Sequence, residues 1–452
     1  MILKRIVSIL VSIILIFNIC ESAFASTNHF NTDSYAPPDL VEDYLGELGK
    51  DTDCAIDLAK KTVEEYIQIN MRKYDPAAKD TLSYDHVIRT DNAFKDYAEK
   101  QMLLTNNRYR SFDSLRLERV NYKIEYGDIR LNKGLFTIHV SVLEQKKYEN
   151  QTECGYVLTN HVITVEQVNG NFYIKNDVTD DYVDAYLRNC SVEDNCTIDD
   201  LIQEDKAVIR DTLNKSEEEM TAYLQSREMK LTSHIEINCV EDFSEASNFM
   251  DDSDNDYVRD SETVIDEEAH IYSLNKGIKI YGFNFGAMVS YAAKYNGASP
   301  KKKSNYNPAY EYYPLPMGGD CTNYVSQILY AGGAPMDEQG SYQWYYKSPT
   351  NRCRWTSVTE LYDYLIHNDY IGPQGKDITN SGSFYAASRG DLVQVKFLGA
   401  KSYGHSLWII SHEIGTTSRT RIASHTNDRW NEPLESISGA KRWIKLTGYG
   451  KL

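Results

Sequence analysis

The chain has 452 residues, with 66 Asp and Glu against 48 Lys and Arg and a formal net charge of −18. That sign sets nucleic acid aside as a partner. The length exceeds the roughly 250 to 300 residues at which a single core stops growing, so at least two domains are expected.

Lys4 and Arg5 precede an apolar run over residues 6–19, and Ala23, Phe24 and Ala25 then form an A-x-A site. This predicts a cleaved signal peptide over residues 1–25 and a secreted, extracellular or wall-associated protein. The run falls short of the ~20 residues of a spanning helix, so no membrane attachment is expected after cleavage. Beyond the leader lie seven cysteines: Cys54, Cys154, Cys190, Cys196, Cys239, Cys321 and Cys353. The odd number leaves one thiol free if the rest pair, and six could form up to three bridges, Cys190 with Cys196 among them.

Ile56, Ala59, Val63 and Ile67 recur at helical spacing and predict a helix over 53–71, and a second helix is expected over 92–104. Phe136, Ile138, Val140 and Val142 alternate with polar residues, the mark of a half-buried strand. Residues 156–168 read as another strand, and Asn169-Gly170 is a hairpin turn leading into Phe172 to Ile174. Together these predict an α+β domain with a curled antiparallel sheet over 40–188, loosely resembling nuclear-transport-factor-like domains. His139 and His161 fall in its strand patterns and read as face residues.

Residues 189–275 are expected to be an acidic linker with one helix over 198–225. Residues 241–268 hold about twelve acids and one base, a charge block that stays solvated and extended. The spacing Asp252, Asp254, Asp256 invites a calcium loop, but Tyr257 and Thr263 stand where glycine and glutamate are needed.

Chemistry concentrates in Gly318-Gly319-Asp320-Cys321-Thr322-Asn323-Tyr324-Val325-Ser326-Gln327, which runs on to Ala331-Gly332-Gly333. Glycines bracket a helix of about three turns that buries Val325, Ile328 and Leu329 and begins at Cys321. A thiol is a nucleophile only as thiolate, and a free one with pKa about 8.5 is mostly protonated at neutral pH. A helix N-terminus favours the anion and offers donors to an oxyanion. Gly404-His405-Ser406 opens a β-prone run, which puts the His405 ring at a strand start as the base, beside a strand over 392–397. The base needs a polar group to orient it. The next strand, over 421–428 and reached by a hairpin around Gly415, supplies His425, with Asn427 and Asp428 as alternatives and His412 as a weaker one. Asp320 and Asn323 read as supports of the cysteine turn. No paired C-x-x-C spacing occurs, so neither a metal nor an organic cofactor is expected.

Asn284, Tyr291-Ala292, Asn307-Pro308-Ala309-Tyr310, the block from Asp320 to Gln327 and Ala331-Gly332-Gly333 follow one another in an order that resembles the putative amidase domain family of secreted bacterial proteins. That family is a branch of the papain-like cysteine hydrolases that includes NlpC-type and CHAP peptidases. The likeness covers residues from about Gly282 to the C-terminus. Phe285 replaces the family's arginine and Tyr324 its phenylalanine. The resemblance implies a papain-like catalytic domain over 276–452, with Cys321 as nucleophile, His405 as base, an amide or peptidoglycan-like peptide as substrate, and a histidine on the following strand as third group. The same site running acyl transfer, or an inactive wall-binding module, are the competing readings.

Overall fold

The computed structural model describes residues 49–452 except 133, 150, 186–187, 189–196, 229–234, 242, 244–277, 340–341, 381–385 and 414–418. The leader, Cys190 and Cys196, nearly all of the acidic block and the Gly415 hairpin lie outside the described residues. The chain divides at Asp57 into two units, and of the first only 49–57, which are helical, are described.

Helix α1 (Gly49–Met71) buries Ala59, Val63, Tyr66, Ile67 and Met71 at helical spacing. Helix α2 (Ala93–Ser111) starts where Asn92 caps the Phe94 N–H at 3.0 Å, and it runs seven residues past the expected end. Four antiparallel strands follow: β1 (Leu117–Asn132), β2 (Leu135–Tyr148), β3 (Gly155–Val168) and β4 (Asn171–Thr179). The β3–β4 turn is Asn169-Gly170, both left-handed at φ 50° and 84°. His161 on β3 is held by Asp177 of β4 at 2.9 Å.

The single helix expected over 198–225 is two, α3 (Ile198–Thr212) and α4 (Glu217–Glu228). Asn214 takes a left-handed conformation at φ 49°, and Ser216 then accepts from the Glu219 N–H to start the second helix. Helix α3 is packed on α2: Leu201 and Ile202 meet Leu104, and Asp205 pairs with Arg108 in the interior.

Strand β5 (Glu236–Cys239) pairs with β1, the one parallel pairing among the described strands. Beyond lie β6 (Lys279–Tyr281), α5 (Phe285–Lys294), α6 (Cys321–Ala331), the hairpin β7 (Tyr345–Ser348) and β8 (Asn351–Cys353), α7 (Val358–His367), β9 (Gly372–Asp377), β10 (Leu392–Lys396), β11 (His405–Ser411), β12 (Arg421–Ser424), β13 (Asp428–Pro433) and β14 (Ala440–Lys451).

Strands β1 to β6 and β9 to β14 belong to one mixed α+β unit through one large, mostly antiparallel sheet, in the order β5-β1-β2-β3-β13-β12-β11-β10-β14-β6, with β4 on β3 and β9 on β14 off this path. The join is made by β3. Its first half, Tyr156 to Leu158, pairs with Trp430 to Asp428, while its second half pairs with β4. Residues from Leu58 to Leu452 accordingly form one compact unit. Inside the join, the Lys146 ammonium lies 3.0 Å from Glu144 and 3.4 Å from Glu432.

Strand alternation sorts the C-terminal half into two cores. Leu392, Trp408, Ile410 and Ala423 pack with Tyr324, Val325, Ile328, Leu329, Trp344 and Trp355 on the face covered by α6. Val393, Val395, Leu407, Ile409 and Ile422 fill the other face with Phe397, and Tyr182 lies against them.

Candidate active site

The cysteine turn is built from two left-handed glycines, Gly318 (φ 99°) and Gly319 (φ 82°), a conformation that a Cβ would oppose. Asp320 stands next and Cys321 opens α6, as the sequence predicts. Every residue from Cys321 to Leu329 is buried, so the helix start is fixed from all sides. The Thr322 hydroxyl shares a 2.9 Å hydrogen bond with the Ser406 hydroxyl, which ties the first turn of α6 to the residue after His405. The backbone N–H of Ser406 favours the anionic form of the Cys321 sulfur, though burial outweighs it.

Asp320 is a hub beneath that turn. Its Oδ1 accepts from the Tyr313 N–H at 3.1 Å and from Asn323 Nδ2 at 2.7 Å, and its Oδ2 meets His425 Nδ1 at 2.6 Å. Its own N–H donates to the Thr426 hydroxyl at 2.7 Å. Asn323 also donates to the Glu311 carbonyl and accepts from the Trp355 indole, so both ends of its amide are used.

His405 is the first residue of β11, as expected, and is 3 % exposed. Its ring shares the side of Phe397 and Tyr182, at centroid distances of 5.9 and 4.4 Å. Among the described residues no hydrogen bond joins it to Cys321, and its Nδ1 has no partner. Burial, with a smaller push from Arg429, drives its pKa down to about 3, and burial pushes the Cys321 thiol up. The resting pair is therefore neutral thiol and neutral imidazole.

The four residues offered as orienting groups, His425, Asn427, Asp428 and His412, have hydrogen-bond partners other than His405. The expected strand over 421–428 ends at Ser424, because Thr426 and Asn427 turn the chain left-handed at φ 60° and 55°, and β13 begins at Asp428. His425 therefore sits in a turn, bonded to Asp320 and, at 2.5 Å, to the Tyr295 carbonyl, with its ring stacked 3.8 Å from that of Tyr324. Asn427 donates to Thr159 at 2.7 Å, and Asp428 accepts from the Gly297 N–H at 2.7 Å. His412 bonds Thr420 at 2.8 Å.

Two contributors escape sequence reasoning. Asn296, after α5, reaches the Ser424 and Arg429 carbonyls and closes the floor of the site. Tyr182, beyond the end of β4, places its hydroxyl 3.4 Å from the Cys321 sulfur and 3.1 Å from the Gly318 carbonyl. It lies more than a hundred residues before the cysteine, where no spacing signal reaches. Among the described residues Cys54, Cys154, Cys239, Cys321 and Cys353 are all free thiols, so these four companions of Cys321 form none of the expected bridges. The described residues hold no group of His, Cys, Asp and Glu arranged for a metal ion.

A family model described as a putative amidase domain matches residues 283–448, which contain Cys321, His405 and His425. No curated protein and no solved structure matches the chain.

Proposed function

We propose that this chain is a cysteine amidase or peptidase of papain-like design, exported to hydrolyse an amide bond in a peptide, with the stem peptide of the bacterial cell wall as its leading substrate. Amide hydrolysis is what the matched domain implies. The observation that carries the cysteine mechanism is that Cys321 opens a buried helix whose second residue is bonded to the neighbour of His405.

The sulfur loses its proton to His405 and bonds to the amide carbon. The Cys321 N–H, at the positive end of α6, donates to the oxyanion that forms. Collapse breaks the C–N bond, and His405 returns the proton to the departing amine. Water, deprotonated by His405, then attacks the thioester and releases the carboxylate and the thiol. In this scheme Asp320, Asn323 and His425 are positioning residues, fixing the turn from which the sulfur projects rather than touching substrate.

The test is mass spectrometry of purified peptidoglycan and its soluble stem peptides after incubation with the full chain and with Cys321→Ala. One new amine and one new carboxylate per cut, absent with the variant, is the expected result. Products joined to an added amine acceptor in place of free carboxylate would reassign the site to acyl transfer. Wall binding without cleavage by either protein, or by Tyr182→Ala, in which the hydroxyl 3.4 Å from the sulfur is gone, would make the chain a binding module.

A further inference from the structure

We infer that Tyr182 is a built-in plug over Cys321, so that the chain rests in a latent form and acts only when the segment over 180–185 lifts this side chain off the sulfur. The inference rests on Cys321 being the nucleophile proposed above.

A carbonyl carbon under attack must sit about 3 to 3.5 Å from the nucleophile. The Tyr182 hydroxyl, 3.4 Å from the sulfur, already fills that shell, and it is tied there by its 3.1 Å bond to the Gly318 carbonyl. Cys321 is 1 % exposed and His405 3 % exposed, so both working groups are covered. The tyrosine ring stacks on Phe397 at 5.6 Å and stands against the His405 ring, where it touches base and nucleophile together. A helper donor to the oxyanion would stand beside the sulfur and leave the carbonyl's place open. Tyr182 occupies it.

The plug is seated by anchors on both sides. Asp181 pairs with Arg429 at 3.2 Å and accepts from the Val183 N–H at 2.6 Å. Asp184 accepts from the Tyr97 hydroxyl at 2.5 Å, from Gln101 at 3.1 Å and from Arg188 at 3.1 Å. The β4 end and helix α2 thus hold a side chain in the mouth of a site made by residues 283–448. The neutral thiol and neutral imidazole are the states that such burial selects, and exposure to water or substrate would relax both toward thiolate and imidazolium.

The test is alkylation of the full chain by iodoacetamide, read at the Cys321 peptide by mass spectrometry. In the wild-type protein Cys321 should react at least about 100-fold more slowly than in the urea-unfolded chain, the open fraction setting the rate. In Tyr182→Ala its native rate should rise at least about 10-fold by the same relation, while the rates at Cys154 and Cys353 stay unchanged, and amide cleavage should rise with it. Native wild-type Cys321 reacting as fast as in the unfolded chain would overturn the plug, and needs no variant to fold. An unchanged Cys321 rate in a folded Tyr182→Ala would also overturn it. A raised alkylation rate with no amide cleaved would leave the plug standing and refute the amidase reading.

Discussion

Asp320 and His425 share a 2.6 Å hydrogen bond between two side chains that are each 1 % exposed. The other ring nitrogen faces the Tyr295 carbonyl, so both nitrogens meet acceptors and the ring carries both protons. Burial pulls the His425 pKa down, but Asp428, Asp320 and that carbonyl outweigh it and hold the ring above its usual 6.5. Asp320→Ala should therefore cost about 3 to 5 kcal/mol in urea unfolding, the loss expected when one partner of a buried pair is removed. A cost below about 1 kcal/mol would refute the pairing. With the folded pKa raised, the stabilisation is full below pH 6.5 and fades as pH climbs through the folded value. The stability gap between wild type and His425→Gln should close in that direction.

His405 behaves in the opposite sense. Its folded pKa of about 3 lies below the usual 6.5, so its contribution is present above pH 6.5 and is lost as pH falls from 6.5 toward 3. His405→Gln removes the titration. By two pH units below 6.5 the wild type should have lost about 2 to 3 kcal/mol relative to the variant, at 1.36 kcal/mol per unit. Thermal melts of the two proteins that fall in parallel with acid would show that His405 is not buried neutral.

All five tryptophans lie beyond residue 343, so their fluorescence reports only the half that carries Cys321. Lys146 belongs to β2 in the other half, yet it pairs with Glu432 of β13. Lys146→Ala leaves two buried carboxylates without their cation and should lower stability by about 3 to 5 kcal/mol, visible as an earlier tryptophan transition in urea. If the tryptophan midpoint stays put while far-ultraviolet dichroism shifts, the halves unfold independently and the continuous sheet does not couple them.

Gly319 offers a second handle on the tyrosine. A Cβ at this position would land on the Tyr182 hydroxyl, the far end of a side chain that can give way. Gly319→Ala should cost about 1 to 2 kcal/mol, because its φ of 82° disfavours a side chain. It should also speed alkylation of Cys321. A slower or unchanged rate in a folded variant would mean that the hydroxyl does not guard the sulfur.

What could be read from the sequence was local. The alternation in β2, the Asn169-Gly170 turn and the glycine-bracketed cysteine helix are each short, continuous stretches of sequence, where periodicity and turn chemistry speak directly. The join of Tyr156 to Trp430 spans the acidic block, and a pairing that distant leaves no periodic trace. His425 was legible as a polar group near the site but not as a partner of Asp320. The register shifts beside Ile409 and Ile422 and the left-handed pair Thr426-Asn427 end the strand early and turn the ring under the cysteine helix. Tyr182 reaches the sulfur only because the two halves share a sheet.

Whether Cys321 cleaves amides is measured most directly by amine release from a panel of peptide and stem-peptide amides by Tyr182→Ala, with and without Cys321→Ala. Release should vanish when the sulfur is removed, while the tryptophan unfolding midpoint stays in place. Release that persists without the sulfur would contradict cleavage by Cys321.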